Sequence, residues 1–507
     1  MSFATAAKQV AAMTTTANGA LSYATTASAR VDLYYHVLRN TPEDKVAELM
    51  AASYQEDALH TLKLVAHLRD IRGGKGERLV ARHAIKWLAL HHPDDLKHNL
   101  RHYVAEYGRF DDLLALVETP VEAFALSVYA DQLKMDLAAL GAQQPVSLCA
   151  KWVPSEKKAA DKKARVNFKL AKTMKISAAE LRKTYLAPLR ASLQLLESFM
   201  CAKEWDAIDF NKVPSVAMHI HGKPRHAFER HVADKLSAWK AGLHAGKTKV
   251  NASVLHPHQV VEQYYGQYDA MHTVVNELVE AQWRVMLDQS RALQLAKTLV
   301  MSDVSGSMSG LPMMVSIALG ILISDLAQDE FKGLVLTFEE TPRFHHVVGE
   351  TLLAKVQCLA NAPWGGSTDF VAALRLVLAT ATAKKVASDQ MPEKLIVVSD
   401  MQFDEATSGN TPATNLQVLH AEYAAAGYNV PHLIFWNVNG QVTDAPALST
   451  DANVSLLSGF SPSVLKAALT GQTVTPFQTM LNAILDARYD LIQLPPTDSD
   501  DQDLEIV

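Results

Sequence analysis

Three polar residues in the second half of the sequence have the types and spacing of a metal site. Asp303, Ser305 and Ser307 alternate directly after the apolar run 299–301, a pattern typical of a buried strand that ends in a loop. Neutral hydroxyls beside one carboxylate suit a hard divalent cation, which prefers oxygen ligands and leaves positions for water or an incoming acid. The pattern therefore predicts an oxygen-lined cation site.

Two later segments supply further oxygen ligands. Thr368, with Ser367 beside it, lies in a glycine-containing segment, and Asp400 follows the apolar run 395–398. Because the carboxyl ends of parallel strands meet at one edge of a sheet, we expect these side chains to converge with those of Asp303 and its neighbours. The alternative is a serine- and glycine-rich loop that caps a helix and binds no metal.

The five positions resemble the metal-ion-dependent adhesion site (MIDAS) of von Willebrand factor A (vWA) domains. The resemblance implies that the two serines bind the metal directly, that Thr368 binds directly or through water, and that the two aspartates often act through water. It also implies a Mg²⁺ cofactor, or another divalent cation such as Mn²⁺ or Ca²⁺, and a protein partner that presents an acidic residue to the metal.

The same five residues bear on enzyme activity. They include no histidine or lysine that could act as a base, and a neutral hydroxyl shell keeps a metal electrophilic toward a carboxylate ligand. We therefore expect recognition rather than turnover, and no enzyme. A metal-dependent nuclease is the less favoured alternative.

Composition limits the class of protein. A chain of 507 residues is too long for one hydrophobic core, and it contains no apolar run long enough to span a membrane. The three cysteines, Cys149, Cys201 and Cys358, are far apart and odd in number, which indicates neither a disulfide framework nor a Cys-rich zinc site. We expect a soluble, cytoplasmic protein.

Charge is distributed unevenly along the chain. Residues 1–297 hold 39 Lys and Arg against 31 Asp and Glu, whereas residues 298–507 hold 9 against 23. A basic first part could bind a polyanion, and an acidic second part would repel one except through its metal. The alternative is that the two parts only attract each other.

The periodicity predicts an α + α/β fold in four segments. Residues 1–30 are weakly patterned and are predicted to be an N-terminal arm, and residues 31–290 show helical periodicity typical of a HEAT-like array. Residues 291–490 alternate strands and helices, as in a doubly wound sheet, and residues 491–507 are a disordered acidic tail. The predicted strands are 298–302, 333–338, 344–348, 394–399, 432–437 and 454–457, of which 344–348 is expected to be an antiparallel edge strand.

Eleven basic residues of the first part could contact RNA. A glycine-rich segment carries Arg72, Lys75 and Arg78, but it lacks the spacing of a nucleotide-binding P-loop. The remaining candidates are Lys151, Lys157, Lys158, Lys162, Lys163, Arg165, Arg225 and Arg230. Trp152 and Phe168 are interleaved, as stacking on bases requires. The alternatives are a tight interhelical turn at 72–78 and a solvated helix face at 151–175.

The order of the parts resembles a second family, the Ro (TROVE) ribonucleoproteins, in which HEAT-like helices that bind RNA precede a vWA domain. The segments 72–78, 107–112, 151–155, 213–217 and 399–404 resemble an uncharacterised vWA-containing family that is known only as a domain of unknown function. Together these resemblances imply RNA binding by the basic helical part and metal-dependent partner recognition by the vWA part. A protein-interaction scaffold or assembly factor without nucleic acid is the alternative.

Overall fold

A computed structural model describes residues 13–162, 164–265, 274–293, 295–337, 341–362, 369–404, 415–470 and 474–496. The chain divides into two compact units, each built from separate segments. Unit 1 comprises Met1–Pro42, Arg72–Lys75 and Asp209–Ile484. Unit 2 comprises Glu43–Ile71, Gly76–Ile208 and Leu485–Val507.

The described residues form eight strands, which lie in two sheets. The strands are β1 Met13–Thr15, β2 Leu21–Tyr23, β3 Thr298–Ser302, β4 Leu334–Thr337, β5 Phe344–His346, β6 Lys394–Ser399, β7 His432–Asn437 and β8 Val454–Ser458. The first two pair as an antiparallel hairpin. The other six form one sheet in the order β5-β4-β3-β6-β7-β8, in which only β5 is antiparallel to its neighbour.

Helices account for most of the remaining structure. The α-helices of the described residues are α1 Ala29–His36, α2 Glu43–Glu56, α3 Ala58–Arg69, α4 Leu79–His91, α5 Pro93–His102, α6 Glu122–Gly141, α7 Cys149–Trp152, α8 Ala159–Lys162, α9 Val166–Thr173, α10 Ala178–Glu180, α11 Ala187–Ser192, α12 Leu196–Ala202, α13 Ser215–His221, α14 Ala227–His244, α15 Pro257–Val261, α16 Glu277–Ser290, α17 Leu311–Leu326, α18 Leu352–Ala360, α19 Phe370–Lys384, α20 Asn415–Ala425, α21 Leu465–Leu469 and α22 Pro476–Ile484. Wider π-helical turns occur at Tyr103–Tyr107 and Leu181–Leu186, and short 3-10 turns at Phe110–Leu116, Trp205–Ala207, Phe210–Lys212, Arg291–Leu293, Gly306–Met308, Asp329–Phe331, Ser388–Gln390, Pro462–Val464 and Ala487–Tyr489.

The large sheet is the core of unit 1, and the apolar runs explain why. Every residue of β3, β7 and β8 is buried, as expected for parallel strands that helices cover on both faces. The residues of β5 remain partly or fully exposed because β5 is an edge strand. The predicted α + α/β class and the predicted antiparallel edge strand are confirmed. Helix α18 was not predicted.

The N-terminal segment is part of unit 1 and is not the predicted extended arm. Its hairpin packs against loops that follow strands of the large sheet. The backbone N–H of Tyr23 donates to the carbonyl of Ala445 at 3.0 Å, and the Thr16 hydroxyl donates to the carbonyl of Phe403 at 2.7 Å. These bonds satisfy polar groups of the hairpin that two short strands alone would leave unpaired.

The predicted boundary at residue 290 differs from the observed division, because the helices that precede it pack within unit 1. The Glu280 carboxylate in α16 accepts the backbone N–H groups of Leu352 and Leu353 at 2.8 and 3.2 Å. A carboxylate at this position satisfies unpaired donors at the start of α18 and interacts favourably with the helix dipole. Residues 209–290 therefore belong structurally with the sheet.

The described residues of unit 2 form helices joined by turns and loops, and they form no strand. The C-terminal segment of the unit is hydrogen-bonded to residues near its beginning. Asp70 is fully buried and accepts two hydrogen bonds from the Arg488 guanidinium, one of them at 2.9 Å, and one from the Tyr489 hydroxyl at 3.2 Å. Asn99 and Gln493 exchange two hydrogen bonds of 2.7 and 3.0 Å. The segment 485–496 is thus ordered, and the acidic residues 497–507 of the predicted tail lie outside the described residues.

No helix in the described ranges combines the length and the apolar character that crossing a membrane would require.

Candidate functional site

Two adjacent parallel strands position the predicted aspartates. Asp303 follows β3 and Asp400 follows β6, and all of β3 pairs with residues 394–398 of β6. The backbone N–H of Asp303 donates to the carbonyl of Val398 at 2.9 Å. Both carboxylates therefore lie at the carboxyl edge of the sheet, where open α/β sheets bind their ligands.

Asp303 is held rigidly and away from solvent. Its Oδ1 accepts the backbone N–H of Ser305 at 2.9 Å, and its Oδ2 accepts the hydroxyl of Ser399 at 2.5 Å. Burial raises the pKa of Asp303 to about 6, against the lowering effect of the Ser399 and Ser305 hydrogen bonds, and the charge of Asp400 adds to the increase. A cation would relieve this cost, because it favours the ionised form of both carboxylates.

The two serines stand side by side in the loop. Ser305 is buried and Ser307 is exposed, and their Oγ atoms are 3.2 Å apart. Adjacent oxygens of an octahedral Mg²⁺ shell lie about 3.0 Å apart when the bonds are about 2.1 Å. The two hydroxyls thus fit adjacent positions of such a shell.

Asp400 interacts with the same loop through the hydroxyl of Ser307. Burial raises its pKa, whereas hydrogen bonds from the Ser307 hydroxyl and from the backbone N–H of Gln402 lower it. The structure therefore brings together four of the five predicted positions, Asp303, Ser305, Ser307 and Asp400. The fifth, Thr368, lies outside the described residues.

The described residues contain no group of three or more His, Cys, Asp and Glu side chains that could hold a metal. The candidate set is of another type, because it combines two carboxylates with hydroxyl groups. Such a set suits Mg²⁺ or Mn²⁺ rather than zinc.

Two residues near the site, Asp444 and Tyr35, escaped the sequence analysis. Asp444 accepts the Ser22 hydroxyl at 2.7 Å and the Gln402 side-chain amide at 3.0 Å. The Tyr35 hydroxyl is buried and has no hydrogen-bond partner in the described structure, and burial followed by the charges of Asp444 and Asp400 raises its pKa. Asp444 could have been found, since it also follows a strand, β7. Nothing in the sequence near Tyr35 indicates its position.

Lys75 was predicted to belong to the RNA-binding set, and the structure corrects this prediction. The side chain is 2% exposed, and its ammonium donates to the carbonyls of Tyr34 and Val37 and to the hydroxyl of Ser458, at 2.8 Å from Val37 and 2.7 Å from Ser458. All its donors are used inside unit 1. The residue therefore anchors the glycine-rich loop and presents no charge to a ligand.

The other predicted basic residues lie in different surroundings. Lys157, Lys158, Lys162 and Arg165 are exposed in unit 2, and Arg72, Arg225 and Arg230 are exposed in unit 1. Lys151 forms an ion pair of 2.9 Å with Glu197. Arg78 is about half exposed and binds Asp111 at 2.7 Å. Lys163 lies outside the described residues.

Comparison with known proteins gives family matches without a described activity. A model described as a domain of unknown function (DUF2828) matches residues 16–125 and 123–293, and one described as a domain of unknown function (DUF7788) matches residues 297–487. The chain is 32% identical over 505 residues to the uncharacterized protein L728 of Acanthamoeba polyphaga mimivirus, an alignment that covers 92% of this chain and 86% of that protein.

The comparison with solved structures includes a match that spans most of both chains. The crystal structure of the Deinococcus radiodurans RO (RSR) protein aligns with a TM-score of 0.46 and 16% sequence identity, and the alignment covers 90% of this chain and 99% of that chain. A similarity of this size assigns neither fold nor function.

Proposed function

Because this chain belongs to the family described as a domain of unknown function (DUF2828), whose description names no activity, we propose its function from geometry: a non-enzymatic protein that binds an acidic partner through a divalent cation. The observation that carries the proposal is the meeting of Asp303, Ser305, Ser307 and Asp400 at one sheet edge. The proposed domain type is vWA, with the cation in a MIDAS-type site.

Each side chain has a distinct role in this proposal. Ser305 and Ser307 would bind Mg²⁺, or Mn²⁺ or Ca²⁺, directly through their hydroxyls, and Thr368 is proposed as a further ligand on the resemblance alone. Asp303 and Asp400 would orient the hydroxyls and any bound waters, since both already accept hydrogen bonds from this loop. The bound cation would supply an electrophilic centre for a carboxylate oxygen of the partner.

The exposure of the two serines supports a ligand that approaches from outside. Ser305 is buried, whereas Ser307 and the adjacent Gly306 are exposed. A cation between the two hydroxyls would therefore have one side in the protein and one toward solvent. That arrangement suits a partner side chain, whereas a purely structural ion is enclosed on all sides.

Titration with Mg²⁺ and Mn²⁺ tests the metal site. We expect the wild-type protein to bind one ion, and the double variant Ser305→Ala/Ser307→Ala to bind at least tenfold more weakly. Ser309→Ala is the matched control, because Ser309 is an exposed serine of the same loop and, among the described residues, its hydroxyl bonds only to the carbonyl of Gly306. Equal affinity in the double variant and the control would contradict the proposal.

A peptide array tests the recognition step. Pairs of peptides that differ only by glutamate or glutamine at one position would be probed in Mg²⁺ and in EDTA. We expect binding that needs both the glutamate and Mg²⁺, and that is lost in the double serine variant. Binding that is equal for glutamate and glutamine peptides would leave a metal site without acidic recognition.

RNA binding by unit 2 is a second candidate, and the exposed stretch around α8 and α9 favours it. Lys157, Lys158 and Lys162 are exposed, and the Arg165 guanidinium lies 4.7 Å from the centroid of the half-exposed Phe168 ring. Cations beside an exposed aromatic ring are typical of single-strand binding surfaces.

The salt dependence of RNA affinity tests this second candidate. Affinity for a labelled single-stranded RNA should fall as salt rises, and should be lower in Lys157→Glu/Lys158→Glu/Lys162→Glu. Lys97→Glu is the control, because Lys97 is an exposed lysine of the same unit that pairs with Asp94. RNA affinity that is independent of salt, or equal in both variants, would rule out this surface.

A further inference from the structure

A network of four arginines and two aspartates lies in unit 2, and Arg78 is its one member that also belongs to the predicted RNA-binding set. Asp111 forms ion pairs with Arg78, Arg82 and Arg109 at 2.7, 2.8 and 2.9 Å. Asp112 accepts Arg69 at 2.8 Å and Arg82 at 2.7 Å. Asp112 also accepts the backbone N–H of Arg109 at 2.9 Å, which fixes the turn that carries both aspartates.

The network carries more positive than negative charge. Four guanidinium groups face two carboxylates, and the ion pairs and hydrogen bonds of Asp111 and Asp112 in the described structure lead to these arginines and no other side chain. Arginine stays charged in proteins. The net charge of about +2 is therefore left uncompensated within the network.

The uncompensated charge lies on the two arginines that reach solvent. The side chains of Arg78 and Arg109 are 54% and 36% exposed, whereas those of Arg69 and Arg82 are 6% and 19% exposed. The described bonds of Arg78 use Nη2 alone, which leaves Nε and Nη1 available. Asp111 Oδ2 accepts a hydrogen bond from each of these two arginines, and Oδ1 accepts a second one from Arg109. Because both side chains are already ordered, binding an anion costs little further conformational entropy.

Two further features of the surroundings favour an anionic group. The Arg109 guanidinium lies 4.2 Å from the centroid of the Trp152 ring, a contact that orients the group and leaves its charge in place. The Lys151 ammonium, 5.4 Å from the same centroid, is already paired with Glu197. Arg78 directly precedes α4, whose first turn contains no acidic residue and whose first backbone N–H groups receive no side-chain cap. Burial, followed by the neighbouring Arg82 charge, lowers the pKa of Arg78, and the Asp111 charge opposes this effect.

We propose that Arg78 and Arg109 form a binding site for a phosphate monoester dianion. The charge of about −2 on such a group matches the excess of the network, and its oxygens match the paired donors of a guanidinium. The phosphate could come from a free mononucleotide or from the phosphorylated end of an RNA. The site is independent of the metal centre, which lies in the other unit.

Calorimetric titration of the full-length protein in EDTA tests the site, because EDTA prevents phosphate from binding through a divalent cation. The probes are inorganic phosphate, AMP, adenosine, and a short RNA with a 5′-phosphate or a 5′-hydroxyl. We expect AMP to bind and adenosine not to bind. Binding of the 5′-phosphorylated RNA that is tighter than that of both AMP and the 5′-hydroxyl RNA would assign the phosphate to an RNA end. AMP binding together with equal affinity for the two RNAs would assign it to a nucleotide.

Two variants separate binding from folding. Arg78→Gln should weaken AMP binding at least tenfold, since it removes an exposed guanidinium. Arg101→Gln is the control, because Arg101 is also about half exposed in unit 2 and pairs with a single aspartate, Asp131. We expect Arg101→Gln to bind AMP like the wild type. Equal AMP affinity in the two variants, or no AMP binding by the wild type, would overturn the proposal.

Chemical modification gives a readout that needs no variant. Phenylglyoxal modifies exposed arginines, and mass spectrometry identifies the modified positions. AMP should protect Arg78 and Arg109 and leave Arg101 unprotected, whereas adenosine should protect none of them. Modification of Arg78 at the same rate with and without AMP would contradict the proposed site even if a variant failed to fold.

Discussion

Replacing Lys75 by methionine should destabilise unit 1 and leave RNA affinity unchanged. The ammonium donates to two carbonyls at the C-terminal end of α1 and to the hydroxyl of Ser458. The negative end of the helix dipole favours a cation at this position. Methionine keeps most of the apolar stem but donates no hydrogen bond. The Val37 carbonyl and the Ser458 hydroxyl lose the ammonium, and so does the Tyr34 carbonyl, which still accepts the Ser458 hydroxyl at 3.3 Å.

The size of the effect follows from opposing contributions. A hydrogen bond to a charged group contributes about 1.5–3 kcal/mol, so three such bonds contribute about 4.5–9 kcal/mol in total. Burying the ammonium costs several kcal/mol, a cost that the variant no longer bears. We therefore expect the free energy of unfolding to fall by about 2–4 kcal/mol, within the range of the larger single-residue effects.

Urea denaturation measures the loss, and hydrogen exchange of residues 29–37 locates it at α1. Lys158→Met, a change at an exposed lysine of unit 2, is the control and should alter the free energy of unfolding by less than about 0.5 kcal/mol. An equally small effect of Lys75→Met, or a loss of RNA affinity without a loss of stability, would refute the buried role of Lys75.

Three further predictions concern buried groups. Asp70→Asn should lower the free energy of unfolding by about 3 kcal/mol, because the arginine and the tyrosine that bind the carboxylate lose a charged acceptor; a urea midpoint equal to that of the wild type would contradict this. Burial lowers the pKa of His256 to about 4 and that of His258 to about 2, each with a smaller contribution from nearby positive charge. Below pH 6.5 the unfolded chain therefore binds more protons than the folded protein does. As the pH falls from 6 to 4, each histidine should lower the free energy of unfolding by about 1.4 kcal/mol per pH unit. His258→Gln should show a smaller slope, and an unchanged slope would exclude this linkage. A thiol reagent should label the exposed Cys201 in the native protein and Cys149 only after denaturation, because Cys149 is buried and burial raises its pKa; native labelling of Cys149 at a similar rate would contradict its burial.

The strands of the large sheet could be predicted because each one is encoded by a short stretch of neighbouring residues. The predicted strands 298–302, 394–399 and 432–437 match β3, β6 and β7 residue for residue, and 344–348 and 454–457 differ from β5 and β8 by one or two residues at an end. The predicted strand 333–338 begins one residue before β4, and its last residue lies outside the described residues. A strand buried on both faces requires a continuous apolar run, and such a run is visible in any sequence window that contains it. The placement of Asp303 and Asp400 at strand ends followed from the same runs, whereas the pairing of β3 with β6 came from the structure.

The division into units was not predictable by the same reasoning. Helical periodicity continues from α2 to α16, and it does not record which helices share a core. Residues 209–290 belong with the sheet because of specific contacts, such as those of Glu280 with the start of α18. The weak pattern of residues 13–23 likewise gave no sign of the hairpin, whose short strands depend on loops that lie about 400 positions later in the chain.

The sequence by itself determined the helical and α/β parts, the strands, and the residue types of the candidate metal site, since each of these is encoded within a few neighbouring positions. Only the tertiary structure decided which charged residues can meet a ligand. Lys75 and Arg78 are three positions apart in one glycine-rich segment, yet the first is buried against backbone carbonyls and the second reaches solvent beside Arg109. Burial and ion pairing depend on groups that are distant in the chain, and charge density along the sequence carries no record of them.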